Sequence, residues 1–259
     1  MTTAAPRSMR ASESQPVTFV ELFFDLVFVF AVTQVTALTA HDLTIGGILR
    51  SILLFWLIWW AWTQFTWTLN PADTTHAAVR LVTLVATGAA FVMATTVPHA
   101  FEEDAIWFAV PYVLVRILGL GLQVRIDTDH AGSGHRGVLT WTAFSGVGLL
   151  LVLAGGVLDP SIRTWLWVLA IGADLVAAAV AGRAQQWELD PAHLSERHGL
   201  FVIIALGESL IVAGTAVAGE TRTEPLLGVA ALTLVVAGLM WWTYFGWLQK
   251  SLEHGFAAA

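Results

Sequence analysis

Apolar segments long enough to cross the roughly 30 Å hydrocarbon core of a bilayer follow one another through most of this chain. In hydrocarbon every backbone N–H and C=O must be satisfied inside the protein, so segments chained in this way fold as a bundle of helices. Pro, Gly, Asn and Asp punctuate the sequence and bound the segments near Val17 to Ala40, Ile45 to Leu69, Thr75 to Val97, Asp104 to Arg125, Arg136 to Val157, Ile162 to Gln185, His198 to Gly219 and Pro225 to Gln249. The connections are short. The expected fold is therefore all-α: a single polytopic transmembrane domain of about eight spans over residues 17–249, with a disordered cytoplasmic tail at 1–16 and a C-terminal tail at 250–259.

Composition excludes the main soluble alternatives. The 259 residues are 57% hydrophobic and 12% charged, whereas an ordinary soluble domain is about one quarter charged. A net charge of −7 with no basic cluster leaves no footprint for nucleic acid. The absence of cysteine excludes disulfides, thiolate chemistry and Cys-based metal sites. No Gly-x-Ser-x-Gly elbow, Walker A sequence or dinucleotide fingerprint occurs, so no catalytic residue is assigned and no cofactor is expected. The opening "MTTAAPRSMRASESQP" reads as a tail rather than a cleaved leader, because the apolar run after it is too long and carries two acids.

Lys and Arg accumulate on cytoplasmic segments. An N terminus inside the cell places Arg7, Arg10, Arg80, Arg125, Arg136, Arg183, Arg197 and Lys250 at or near the cytoplasmic face. Arg50, Arg163, Arg222 and the acidic loop "HAFEED" then lie toward the other face, and both termini are expected in the cytoplasm. The 13 Trp residues fit an interfacial aromatic belt. Trp59, Trp60 and Trp62 cluster within "WLIWWAW" and can also offer indole N–H donors to a polar interior.

The first apolar run, "FVELFFDLVFVFAVTQ", contains Glu21 and Asp25 one helical turn apart, with Thr18 and Thr36 near the same stripe. At 1.5 Å per residue they sit about 6 and 12 Å past the start of their span, in its cytoplasmic half. The same arithmetic brings Gln64, Arg80, Arg116, Asp174 and Glu208 to converging depths on other helices. An uncompensated charge at the bilayer centre costs about 2.5 to 3.5 kcal/mol, so these groups need partners or a hydrated cavity. Glu21, Asp25 and Glu208 can simply lock the bundle by pairing with Arg80, Arg116 and Arg197. Alternatively they line a polar layer that binds or conducts a solute. Withdrawing a carboxyl from water favours its neutral form, which suits a proton carrier.

A second polar stretch is "DPAHLSERHGLFVIIALGESLIVAG". His193 and Glu196 have a spacing that permits metal binding, but their order departs from the Glu-x-x-His pattern of metal bundles, so no metal site is assigned. Glu196 and Arg197 read as interfacial pairing residues. Gly207 is expected to allow close helix approach, and Ser209 to bond back to its own helix.

"VELFFDLVFVFAVTQ", "WWAWTQFTW", "YVLVRILGL" and "HLSERHGLFVIIALGESLIV" together resemble the low temperature requirement A protein (LtrA) family of bacterial membrane proteins, from Thr18 to Phe245. The motif positions carried over are Glu21, Phe24, Asp25, Trp59, Trp60, Trp62, Arg116, His193, Glu196, Arg197, Gly207, Glu208 and Ser209. The resemblance implies a multi-pass protein of the bacterial cytoplasmic (inner) membrane; the family name records a growth requirement in the cold and implies no settled activity. Similar chains carry an acid where "WWTYFGW" has Gly246 and continue through further spans, so the sequence reads as a short or C-terminally truncated member. The preferred expectation is a transporter or channel-like protein for a small solute or ion, proton-linked through Glu21, Asp25 or Glu208. Its partners are the lipid bilayer and a small ion, solute or lipid ligand. The alternatives are a membrane-embedded enzyme acting on a lipid or isoprenoid, and a structural or assembly protein. The sequence carries no signal for an oligomeric state.

Overall fold

Backbone groups withdrawn from water close their hydrogen bonds within helices, and the computed structural model follows that demand throughout. It describes residues 8–11, 15–102, 105–128, 135–184, 189–218 and 223–258. Among them are α1 (Phe19–His41), α2 (Ile45–Leu69), α3 (Ala77–Thr96), α4 (Ala105–Thr128), α5 (His135–Val157), α6 (Pro160–Ala184), α7 (Pro191–Ala218), α8 (Glu224–Thr243) and α9 (Gln249–Ala258). A 3₁₀ turn, Val97–His99, extends α3, and a π-helical segment, Tyr244–Leu248, joins α8 to α9. Among the described residues eight stretches are long and apolar enough to cross a membrane, the last being the continuous run Glu224–Phe256. The protein is an all-α, multi-pass membrane protein.

The chain divides into two compact units, residues 1–189 and 190–259, where the sequence reads as a single domain over 17–249. The first unit contains α1 to α6. Its core is aromatic at the α1–α2 contact, with Phe24 stacked on Phe65 at 4.6 Å and against Phe28 at 4.7 Å. Small residues bring α5 close to its neighbours. A Cβ on Gly156 would stand 2.7 Å from the Ala109 side chain of α4, and one on Gly155 would stand 2.4 Å from the Trp167 indole nitrogen of α6. Trp167 fills that space between Phe101 and Phe108, with ring centroids 5.2 and 5.3 Å away, and donates its N–H to the Val152 carbonyl at 3.1 Å.

Part of the expected N-terminal tail is instead a strap. The Asp73 amide donates to the Met9 carbonyl at 2.7 Å and the Ala11 amide to the Pro71 carbonyl at 3.0 Å, forming a short antiparallel bridge between Arg10 and Ala72. The Gln15 side-chain amide also donates to the Ala72 carbonyl. Backbone groups in the turn after α2 are thereby satisfied, as buried polar groups require. Residues 1–7 and 12–14 of that tail, Arg7 among them, lie outside the described residues, as do Glu103 and Asp104 of the acidic loop and Arg222.

The second unit contains α7 to α9. Two features depart from the boundaries expected from hydropathy. Helix α7 begins at Pro191 rather than His198, because Asp190 caps it by accepting the Ala192 and His193 amides at 3.0 and 3.1 Å. The expected C-terminal tail at 250–259 is helical through Ala258. The π-helical segment faces α7 where the latter is bare: a Cβ on Gly199 would meet the Phe245 ring at 3.3 Å.

Candidate functional site

In the first unit the predicted residues form two separate polar constellations. Glu21 and Asp25 are both fully buried on α1. Helix α1 starts at Phe19, so Glu21 lies in its first turn, where its carboxylate accepts the Thr18 amide at 2.9 Å and the Thr18 hydroxyl at 2.8 Å. The Thr18 amide bond belongs to a capping box, a signal present in the sequence as Thr-x-x-Glu. Asp25 lies one turn deeper. Its Oδ1 accepts the indole N–H of the fully buried Trp62 at 2.7 Å, so the aromatic cluster on α2 does supply a donor to a polar interior.

The second constellation joins α4 to α6. Arg116 donates from its two terminal nitrogens to both oxygens of Asp174, at 2.9 and 2.8 Å, and also donates to the Tyr112 hydroxyl at 2.9 Å. All three residues are buried. Arg116 is therefore paired with Asp174, not with Glu21 or Asp25. The bidentate geometry matches a planar guanidinium to a planar carboxylate and neutralises both charges in place. Tyr112 was not foreseen; it lies one turn before Arg116 on the same face, which was readable from its spacing.

Gln64 is buried on α2, donating to the Thr68 hydroxyl at 3.2 Å beside Gly119 of α4. Arg80 does not join the layer. It is exposed, because depth along a helix does not determine which way the side chain faces. Arg163, expected only near the far face, is buried and donates to the carbonyls of Gly155, Phe101 and Glu102. The Gly155 carbonyl lies in the last turn of α5, where carbonyls have no partner within their own helix, and those of Phe101 and Glu102 lie just after the 3₁₀ turn.

In the second unit, Arg197 and His193 are buried and Glu196 is exposed, so the metal-compatible spacing of His193 and Glu196 does not give both side chains the same environment. Among the described residues no group of three or more His, Cys, Asp or Glu is placed to hold a metal. Glu208 is half-buried, and Ser209 is exposed and donates to the Ala205 carbonyl one turn earlier at 2.9 Å. A Cβ on Gly207 would meet nothing within 4 Å, so the close helix approach expected there is not made among the described residues.

A family model described as bacterial low temperature requirement A protein (LtrA) matches residues 16–259. An uncharacterized protein of Rhizobium meliloti (strain 1021) is 30% identical over 235 residues, covering 88% of this chain and 58% of that protein. The chain thus spans less than two thirds of the length of that relative. No solved structure matches it.

Proposed function

The chain belongs to the bacterial low temperature requirement A protein (LtrA) family, and from that premise we propose that it is a proton-linked transporter or channel-like protein for a small ion or solute. It would sit in the cytoplasmic membrane with both termini inside the cell. The observation that carries this reading is the pair of fully buried carboxyl groups, Glu21 and Asp25, one turn apart in the first span. Ionisable groups at such positions are costly and by default point to function. The anchoring of Asp25 supports the reading chemically. An indole N–H donates to a carboxyl in either protonation state and neither gives up nor accepts the proton, so Trp62 can hold Asp25 in place while its charge changes. Glu21 lies about 6 Å nearer the end of the helix and bonds to the half-buried Thr18, which gives a proton a stepwise route to the membrane surface. Arg116 and Asp174 form one bidentate pair, which suits them to holding α4 against α6.

The test is proton and monovalent-cation flux in liposomes containing the purified protein, measured beside Asp25→Asn and Glu21→Gln variants of equal helicity. Wild-type flux above that of protein-free vesicles, lost in Asp25→Asn, is expected. Wild-type flux no greater than that of empty vesicles, or full flux in Asp25→Asn, overturns the proposal.

A further inference from the structure

At the opposite end of α1 from Glu21, two cavities of the first unit meet at Arg50. One, of about 630 Å³, has a mixed lining and lies between the end of α1, the start of α2, the 3₁₀ turn and the start of α6; its polar lining includes His41, Asp42, Arg50, His99 and Glu102. The other, of about 730 Å³, is a predominantly apolar groove between α2 and α6, lined by Leu49, Leu53 and Trp56 on one side and Trp165, Val168 and Leu175 on the other. Arg50 and Thr164 belong to both. On α2 the groove runs from Gly46 to Trp56, about 15 Å at 1.5 Å per residue, which is half of a roughly 30 Å hydrocarbon core. On α6 it runs from Ser161 to Leu175, about 21 Å by the same rise, so its length is on the order of one leaflet.

The charges at its mouth have both signs. Arg50 is exposed, makes no ion pair among the described residues and lies over the Phe101 ring at 5.8 Å. Asp42 and Glu102 line the same cavity. The Asp42 Oδ1 is taken by the Thr44 amide and hydroxyl, at 3.1 and 2.6 Å, and Glu102 lies 3.4 Å from His99. A purely anionic headgroup would meet two carboxylates beside its cation. A headgroup carrying one phosphate and one primary ammonium offers a partner to charges of both signs.

We propose that this end of the first unit binds one zwitterionic aminophospholipid, with its phosphate on Arg50, its ammonium toward Asp42 and Glu102, and one acyl chain along the α2–α6 groove. The ammonium must be primary, because a quaternary headgroup has no N–H to donate to the carboxylates. The site is remote from Glu21 and Asp25 and does not depend on the function proposed for them.

The test uses the full chain in nanodiscs of equal phosphatidylethanolamine, phosphatidylglycerol and phosphatidylcholine, released into native mass spectrometry. Wild type should retain one phosphatidylethanolamine in clear preference to the other two. Arg50→Gln should weaken retention about tenfold, as for loss of a charge-assisted contact. Val168→Trp, which fills the groove from an exposed position, should weaken it comparably while circular dichroism reports unchanged helicity. Equal retention of the three lipids, which is what an annular lipid alone would give, overturns the proposal. So does preference for phosphatidylglycerol, or wild-type retention in both variants. The wild-type headgroup preference decides the matter even if a variant fails to fold.

Discussion

Replacing Asp174 with Asn should be among the most damaging single changes available in the first unit. The substitution preserves size and leaves the Arg116 guanidinium buried, with Tyr112 as its remaining partner. Removing one member of a buried ion pair typically costs about 3 to 5 kcal/mol, because the surviving charge is left uncompensated. For a chain of this size each kcal/mol lowers the thermal midpoint by roughly 2 to 4 °C, so the expected loss is on the order of 6 to 20 °C. Replacing both partners with apolar residues, Arg116→Met with Asp174→Leu, removes the stranded charge. It leaves only the buried Tyr112 hydroxyl without its donor, at about 1 to 3 kcal/mol. The double variant should therefore be more stable than Asp174→Asn. Circular dichroism at 222 nm during heating in a fixed detergent measures all three proteins. An Asp174→Asn midpoint within about 2 °C of wild type, or a double variant less stable than the single, would refute the reasoning.

Gly155→Ala places a Cβ where the Trp167 indole nitrogen now stands, 2.4 Å away, so the ring must move from its place between Phe101 and Phe108. A loss of about 1 to 3 kcal/mol is expected from such overpacking, together with altered Trp fluorescence; an unchanged midpoint and spectrum would contradict the packing described. Acidification should act on the turns outside the spans. Hydrogen bonds from the Thr44 hydroxyl and amide hold the Asp42 carboxylate below its ordinary pKa of 3.8, and those from the Ser161 amide and hydroxyl do the same for Asp159. A lowered carboxylate pKa stabilises the fold above the unfolded-state value, and the contribution is lost as pH falls through the folded-state value. The small advantage of wild type over an Asp42→Asn, Asp159→Asn variant should persist at pH 6 and shrink as pH falls below 3.8, and a difference independent of pH would show that these caps do not titrate.

The spans were legible because hydrocarbon imposes a length and a composition on each one, and Ile45–Leu69 emerges with the boundaries its hydropathy sets. Ends formed by polar residues were harder to place. The charged stretch from Asp190 to Arg197 lies outside the span that hydropathy sets, although Asp-Pro at its start carries the signature of a cap followed by the first helical residue. Within the site, the burial of Glu21, Asp25, Arg116 and Asp174 follows from the cost of charge in lipid. The pairing does not follow. Distance along a helix axis gives height but not direction around the axis, so it shows neither that Arg80 is exposed nor that Asp174 is the partner of Arg116. Contacts such as Met9 with Asp73 leave no local pattern to read, because backbone groups of any residue can make them.

The N-terminal strap also constrains the order of events during synthesis. Gln15 and the Ala72 carbonyl it reaches are 57 positions apart in the chain. At about 5 to 20 residues per second, the ribosome completes the second partner roughly 3 to 11 s after the first. The strap can close only after the turn following α2 has emerged, so it fastens the first helical pair once both members are made and takes no part in making them.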